Sequence, residues 1–168
     1  MKDIKILQQI VKTLLSPDNQ EAEVEILLSY QQPAEYIKQF KQEVWSRTID
    51  TEIPELPLIA LVNALERRNK LVELDWEESF TSFINGLCSI LPNSESGLTV
   101  KEALIDLTVD DEDEPDDFLP EISALLDEYD LLLFMLDIDS DSYPLIILSK
   151  DEFSKLDNPD EHVFLKKI

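Results

Sequence analysis

Glycine is nearly absent. The 168-residue chain holds two, Gly86 and Gly97, so it has no glycine-rich loop to cradle a phosphate. Histidine occurs once, at His162, which removes the HExxH motif and any catalytic zinc site built on an imidazole pair. With no serine or cysteine placed beside it for a triad, His162 reads as a surface residue of a short polar tail. The single cysteine, Cys88, cannot form an internal disulfide and fits a reducing cytosol. It lies in a helical apolar pattern with no adjacent basic group to favour the thiolate, so it reads as a small core residue. No apolar run approaches the ~20 residues that span a bilayer. The opening MKDIKILQQIVKTLL mixes charge into its apolar pattern and reads as an ordinary helix rather than a signal peptide. No cofactor motif stands out.

Positive charge is scarce as well. Fourteen Lys and Arg against 37 Asp and Glu leave a net charge of −23. Such a surface repels nucleic acid phosphate and anionic lipid, and it attracts cations or a basic protein partner. Solubility alone is the competing account of the same numbers.

What is present is the composition of a globular chain, 43% apolar and long enough for one sizeable core. Periodicity predicts a single α+β domain over residues 1–168, mainly helical over 1–69 and sheet-containing over 70–168. Ile4, Leu7, Ile10, Val11, Leu14 and Leu15 make a first helical stripe. Asp18 and Glu21, at capping-box spacing, start a second helix presenting Val24, Leu27 and Leu28. Pro33 opens a third, with Ile37, Phe40 and Val44 inward and Trp45 beside them. Leu58, Leu61, Val62 and Leu65 mark a fourth. It ends in Arg67, Arg68 and Lys70, where the helix dipole favours positive charge.

KLVELDW, residues 70–76, alternates like a strand, with Val72, Leu74 and Trp76 on one face and Leu71, Glu73 and Asp75 on the other. Asp75–Glu78 and Thr99–Glu102 have capping-box spacing ahead of two further helices, the first carrying Phe80, Phe83, Ile84, Leu87 and Leu91. DDEDEPDD, residues 110–117, is too densely charged to pack and predicts a solvated acidic linker, with an arm that binds a basic partner as the competing reading. Phe118, Ile122, Leu125, Leu126 and Tyr129 resume a helix. Strands over 131–137 and 143–149 follow, apolar on both faces and too closely joined for anything but an antiparallel hairpin. Pro144 belongs at the start or outer edge of its strand, Ser149 and Glu152 cap a short helix, and EHVFLKKI closes as a strand. The fold expected is an N-terminal helical layer on a small mixed or antiparallel sheet with a C-terminal β-hairpin.

Between those strands, Asp137, Asp139 and Asp141 occupy the first, third and fifth positions of a calcium loop. The sixth is Ser142 instead of glycine and the twelfth is Leu148 instead of glutamate, so the EF-hand pattern fails. A looser divalent-cation site at these three aspartates is one alternative. A hairpin tip closed by Asp and Ser side chains bonding their own backbone is the other. Glu73 and Asp75, sharing a strand face, raise a third reading as a hydrolytic carboxylate pair, although a carboxylate-rich chain produces such pairs by chance. Trp45 and Trp76 read as core anchors.

VELDWEE (Val72–Glu78) and LDIDSDSYPLIIL (Leu136–Leu148) resemble segments of small bacterial domains of unknown function, which pair an Asp-Trp strand end with an Asp-Ser-Asp-x-Tyr hairpin. The likeness covers the second half of the chain. It implies an intracellular bacterial setting and an α+β fold, and it carries no catalytic assignment. With the charge balance, it makes Glu73, Asp75, Trp76, Asp139, Asp141 and Tyr143 the candidate interaction residues. The function expected is a non-catalytic acidic interaction domain, immunity- or inhibitor-like, that binds a basic partner.

Overall fold

Leu131–Leu136 (β2) and Ser142–Ser149 (β3) pair antiparallel, with Leu131 opposite Ser149 and Met135 opposite Leu145, as their short connection demands. The computed structural model describes residues 3–17, 19–109, 113–138, 140–156 and 164–168. Asp18, the acidic residues 110–112, Asp139 and His162 lie outside them. Five helices lead the chain: α1 (Asp3–Leu15), α2 (Gln20–Gln31), α3 (Pro33–Gln39), α4 (Lys41–Ser46) and α5 (Leu56–Glu66). Then come β1 (Val72–Asp75), α6 (Phe80–Ile90), α7 (Glu95–Ile105) and α8 (Pro115–Glu128). The hairpin is followed by α9 (Lys150–Phe153), opened by a Ser149–Glu152 capping box, and by β4 (Leu165–Lys167). The strands form an antiparallel sheet in the order β1-β3-β2-β4, and the fold is α+β.

Both faces of the sheet are covered, which is why β2 and the middle of β3 are apolar on both faces. On one face Leu132, Phe134, Leu136, Ile146 and Leu148 join the core of α1, α2 and α5. On the other, Leu133 and Leu145 join Phe83, Leu87, Leu104, Phe118 and Leu126 from α6, α7 and α8. The expected helical layer is therefore one of two. The second was hidden because its helices read individually as amphipathic, with nothing local to say which sheet face they cover.

Pro144 sits in an inner strand without cost. Trp76 N–H bonds to the Asp141 carbonyl at 3.4 Å, and Leu74 and Val72 face Tyr143 and Leu145 in the same register. The bonded rungs therefore fall on 72, 74 and 76. Pro144, opposite Glu73, turns its nitrogen towards β2, whose pairing with β3 has already stopped at Leu145.

Several local expectations shift. α2 buries Ala22, Ile26 and Ser29 and leaves Val24 59% exposed. Small residues on that face let α2 pack closely on α5, which outweighs the larger side chains elsewhere on the helix. The third helix breaks at Phe40 into α3 and α4, with Tyr36 and Val44 as its buried residues. Neither tryptophan anchors a core: Trp45 is 55% and Trp76 51% exposed. Val44 takes the inward position on α4, and Trp76 lies past the end of β1. α7 starts at Glu95 rather than near Thr99, because the Ser94 hydroxyl accepts the Gly97 N–H at 3.1 Å. Residues 115–117 are not linker. Pro115 opens α8, Asp116 and Asp117 occupy its first turn where the dipole favours negative charge, and Asp117 accepts the Glu114 N–H. Arg67 and Arg68 do more than meet a dipole. Arg67 joins Glu25 and Glu43, and Arg68 joins Glu21, tying α5 to α2 and α4.

Candidate functional site

β1 places its side chains alternately. Val72 and Leu74 enter the core beneath α6, and Glu73 points to the opposite face, towards Arg47 at the end of α4. The Arg47 guanidinium donates to both Glu73 oxygens, and its Nε donates to Asn63 Oδ1 at 3.1 Å. Ser142, at the base of the hairpin tip, donates its hydroxyl to the same carboxylate. Burial alone would raise the Glu73 carboxyl, but the bonds from Arg47 and Ser142 outweigh it and hold it below the usual carboxylate range. Beside this node Tyr36 is fully buried next to Asn63, and burial drives its hydroxyl above the ordinary tyrosine range.

Beyond Glu73 the strand ends in a tight turn. Asp75 accepts the Glu77 N–H through Oδ1 at 2.9 Å and the Glu78 N–H through its carbonyl at 3.1 Å. The Asp75–Glu78 capping box does not form. The cap of α6 is Ser79, whose hydroxyl accepts the Ser82 N–H at 3.2 Å. The turn throws the Trp76 ring outward. It forms one wall of a cleft of about 290 Å³, with Glu77, Glu78, Phe80, Asp113, Glu114 and Pro115 among the others. Tyr143 buttresses the same end. Its ring meets Phe83 edge-on at 5.7 Å, and its hydroxyl donates to Asp116 Oδ1 at 3.0 Å. Burial, with Asp116 and Glu114 alongside, pushes the Tyr143 hydroxyl up to about 12.

Of the candidate residues, Asp75, Trp76 and Asp141 come together exposed at one end of the sheet, with Tyr143 half-buried behind them. Glu73 lies next to them but is spent on Arg47 and Ser142, so it and Asp75 are engaged separately. Asp137 turns the other way, to Lys166 of β4 at 2.5 Å. Asp139 is outside the described residues. Among the described residues no three His, Cys, Asp or Glu side chains are grouped to hold a metal ion. Cys88 is half-buried, and burial raises its thiol, the reverse of activation. Sequence reasoning did not single out Arg47, which is paired across the fold, and it weighed Asp113, Glu114 and Asp116 only as part of an acidic run, linker or partner-binding arm, without placing them beside Trp76.

The profile of a domain family described as Domain of unknown function (DUF6630) matches residues 7–158. The chain belongs to this family. No curated protein and no solved structure matches it. The match spans both the helical and the sheet-containing parts of the DUF6630 chain, more than the segments around Trp76 and the hairpin that first suggested a domain of unknown function. Among its described residues, no helix is long and apolar enough to cross a membrane.

Proposed function

We propose that this DUF6630 chain is a non-catalytic docking domain whose acidic end binds a basic segment of a partner protein, in the manner of an immunity or inhibitor protein of a bacterial cytosol. The observation that supports this most is Trp76. A large aromatic ring, half exposed, faces a cleft shared with Glu77, Glu78, Asp113 and Glu114. Tryptophan faces attract lysine and arginine cations, and carboxylates around the ring add attraction for the same charge. The chain already holds one such contact, Lys41 Nζ lying 3.9 Å from the Trp45 ring centroid. Tryptophan is also among the residues that most often dominate an interface energetically.

The test uses a Trp45→Phe background, in which Trp76 is the sole tryptophan. A short oligolysine peptide should shift its emission saturably, less so as salt is added, and oligoglutamate should not. Trp76→Ala, followed by calorimetry, should weaken oligolysine binding about tenfold. Unchanged affinity in that variant would overturn the proposal.

A further inference from the structure

Among the described residues β1 is the outermost strand on its side of the sheet. Its bonded rungs with β3 fall on Val72, Leu74 and Trp76, so Glu73 and Asp75 turn their backbone N–H and C=O groups away from the sheet. The Asp75 carbonyl is taken by Glu78 N–H. The Glu73 N–H, the Glu73 carbonyl and the Asp75 N–H have no hydrogen-bond partner among the described residues. These are the groups a strand edge offers for pairing.

Among the described residues no further strand pairs with this edge. β1 packs chiefly against β3 beside it and α6 above it. α6 lies over the face: a Cβ added at Gly86 would meet Val72 Cγ2 at 2.9 Å, above the side chains that point into the core. All four β1 residues keep part of their surface, whereas β2 and β3 each bury four. The opposite edge is guarded. β4 is three residues long and carries exposed Lys166 and Lys167, a common way of blocking strand addition. β1 has no lysine. Its edge runs from Glu73 and Asp75 directly into Trp76, Glu77 and Glu78.

We infer that the free edge of β1 receives an extended, lysine- or arginine-bearing segment of the partner protein as an added strand of the sheet. This deepens the docking reading and rests on it. Backbone bonds to Glu73 and Asp75 supply register, and a segment running past Asp75 carries its basic side chains to the Trp76 cleft. A second copy of this chain is the wrong occupant. It would set Asp75 against like charge, and each copy carries −23.

The experiment adds a peptide of alternating lysine and threonine to the full-length Trp45→Phe protein, reading Trp76 emission and amide hydrogen exchange together. The expected result is an emission shift with exchange at the Glu73 and Asp75 amides slowed at least tenfold. A peptide methylated on alternate backbone nitrogens should then bind more weakly. An emission shift with no slowing at those two amides overturns strand addition and leaves the acidic docking site standing. No emission shift and no slowing overturns both.

Discussion

Arg47, at the end of α4, and Glu73, in β1, are 26 residues apart in sequence and meet as a two-pronged ion pair, with their side chains 16% and 15% exposed. Their contact ties the N-terminal helical layer to the sheet, and Ser142 extends the tie to the hairpin tip. Glu73→Gln leaves a shielded guanidinium without its counter-charge. We expect a loss of about 3 kcal/mol, the lower end for breaking a buried pair. At this chain length that is a fall of roughly 6–12 °C in Tm. An Arg47→Met, Glu73→Leu double variant should recover most of it, since no charge is then stranded. A Glu73→Gln protein that melts with the wild type would contradict the account of this node.

The same carboxylate sets a pH dependence. Its folded value lies below the usual carboxylate range, so its contribution is complete above that range and is lost as pH falls through the lower folded value. The Tm gap between wild type and Glu73→Gln should hold constant above the usual carboxylate range and narrow as pH falls below it. Glu66 moves the opposite way, raised first by burial and then by the Glu73 charge, and gains stability on acidification. The gap between the two proteins removes the part of that shift set by burial and retains the part set by the Glu73 charge. A gap that widens on acidification would reverse the sign assigned to Glu73.

Exposure separates the aromatics by role. Phe83 is fully buried between α8 and Tyr143, so Phe83→Ala should cost about 3–5 kcal/mol in a urea melt. Trp76→Ala should cost less than about 1 kcal/mol, because its ring contributes little to the core. If Trp76→Ala destabilises as much as Phe83→Ala, Trp76 is a structural anchor and not a docking residue.

The two glycines differ in what confronts them. A Cβ at Gly97 would lie 2.0 Å from the Pro92 carbonyl oxygen, a backbone atom of the connection that leads into α7. Gly97→Ala should therefore destabilise by at least about 2 kcal/mol. At Gly86 the neighbours are the ends of the Val72 and Leu74 side chains, which can shift, and alanine's helix propensity offsets part of the strain. Chemical denaturation should rank Gly97→Ala well below Gly86→Ala.

Local features were legible from the chain. The α5 stripe, the Ser149–Glu152 cap, the β2–β3 hairpin and the closing strand each follow from spacings of a few residues. What depended on distant partners was not. The inward face of α2 is chosen by its fit to α5, and the Arg47–Glu73 pair spans the fold. Outward-facing Trp76 continues the alternation of Val72 and Leu74, and only the turn made by Asp75 explains why the core stops before it. The acidic end was half legible. Asp75, Trp76, Asp141 and Tyr143 were named from the sequence, but the wall contributed by Asp113 and Glu114, and the Asp116 partner of Tyr143, come from a segment whose charge density reads as linker or as a free arm.

The central claim is that the acidic end around Trp76, and not acidity in general, captures a basic segment. Two charge-matched variants test it. One carries Asp75→Asn, Glu77→Gln and Glu78→Gln, and the other neutralises the exposed Glu95, Glu102 and Asp106 of the α7 region. Calorimetric titration with oligolysine at fixed ionic strength should show the first variant losing about tenfold or more in affinity and the second less than about twofold. Equal losses in the two variants would show attraction to net charge alone and would contradict the account.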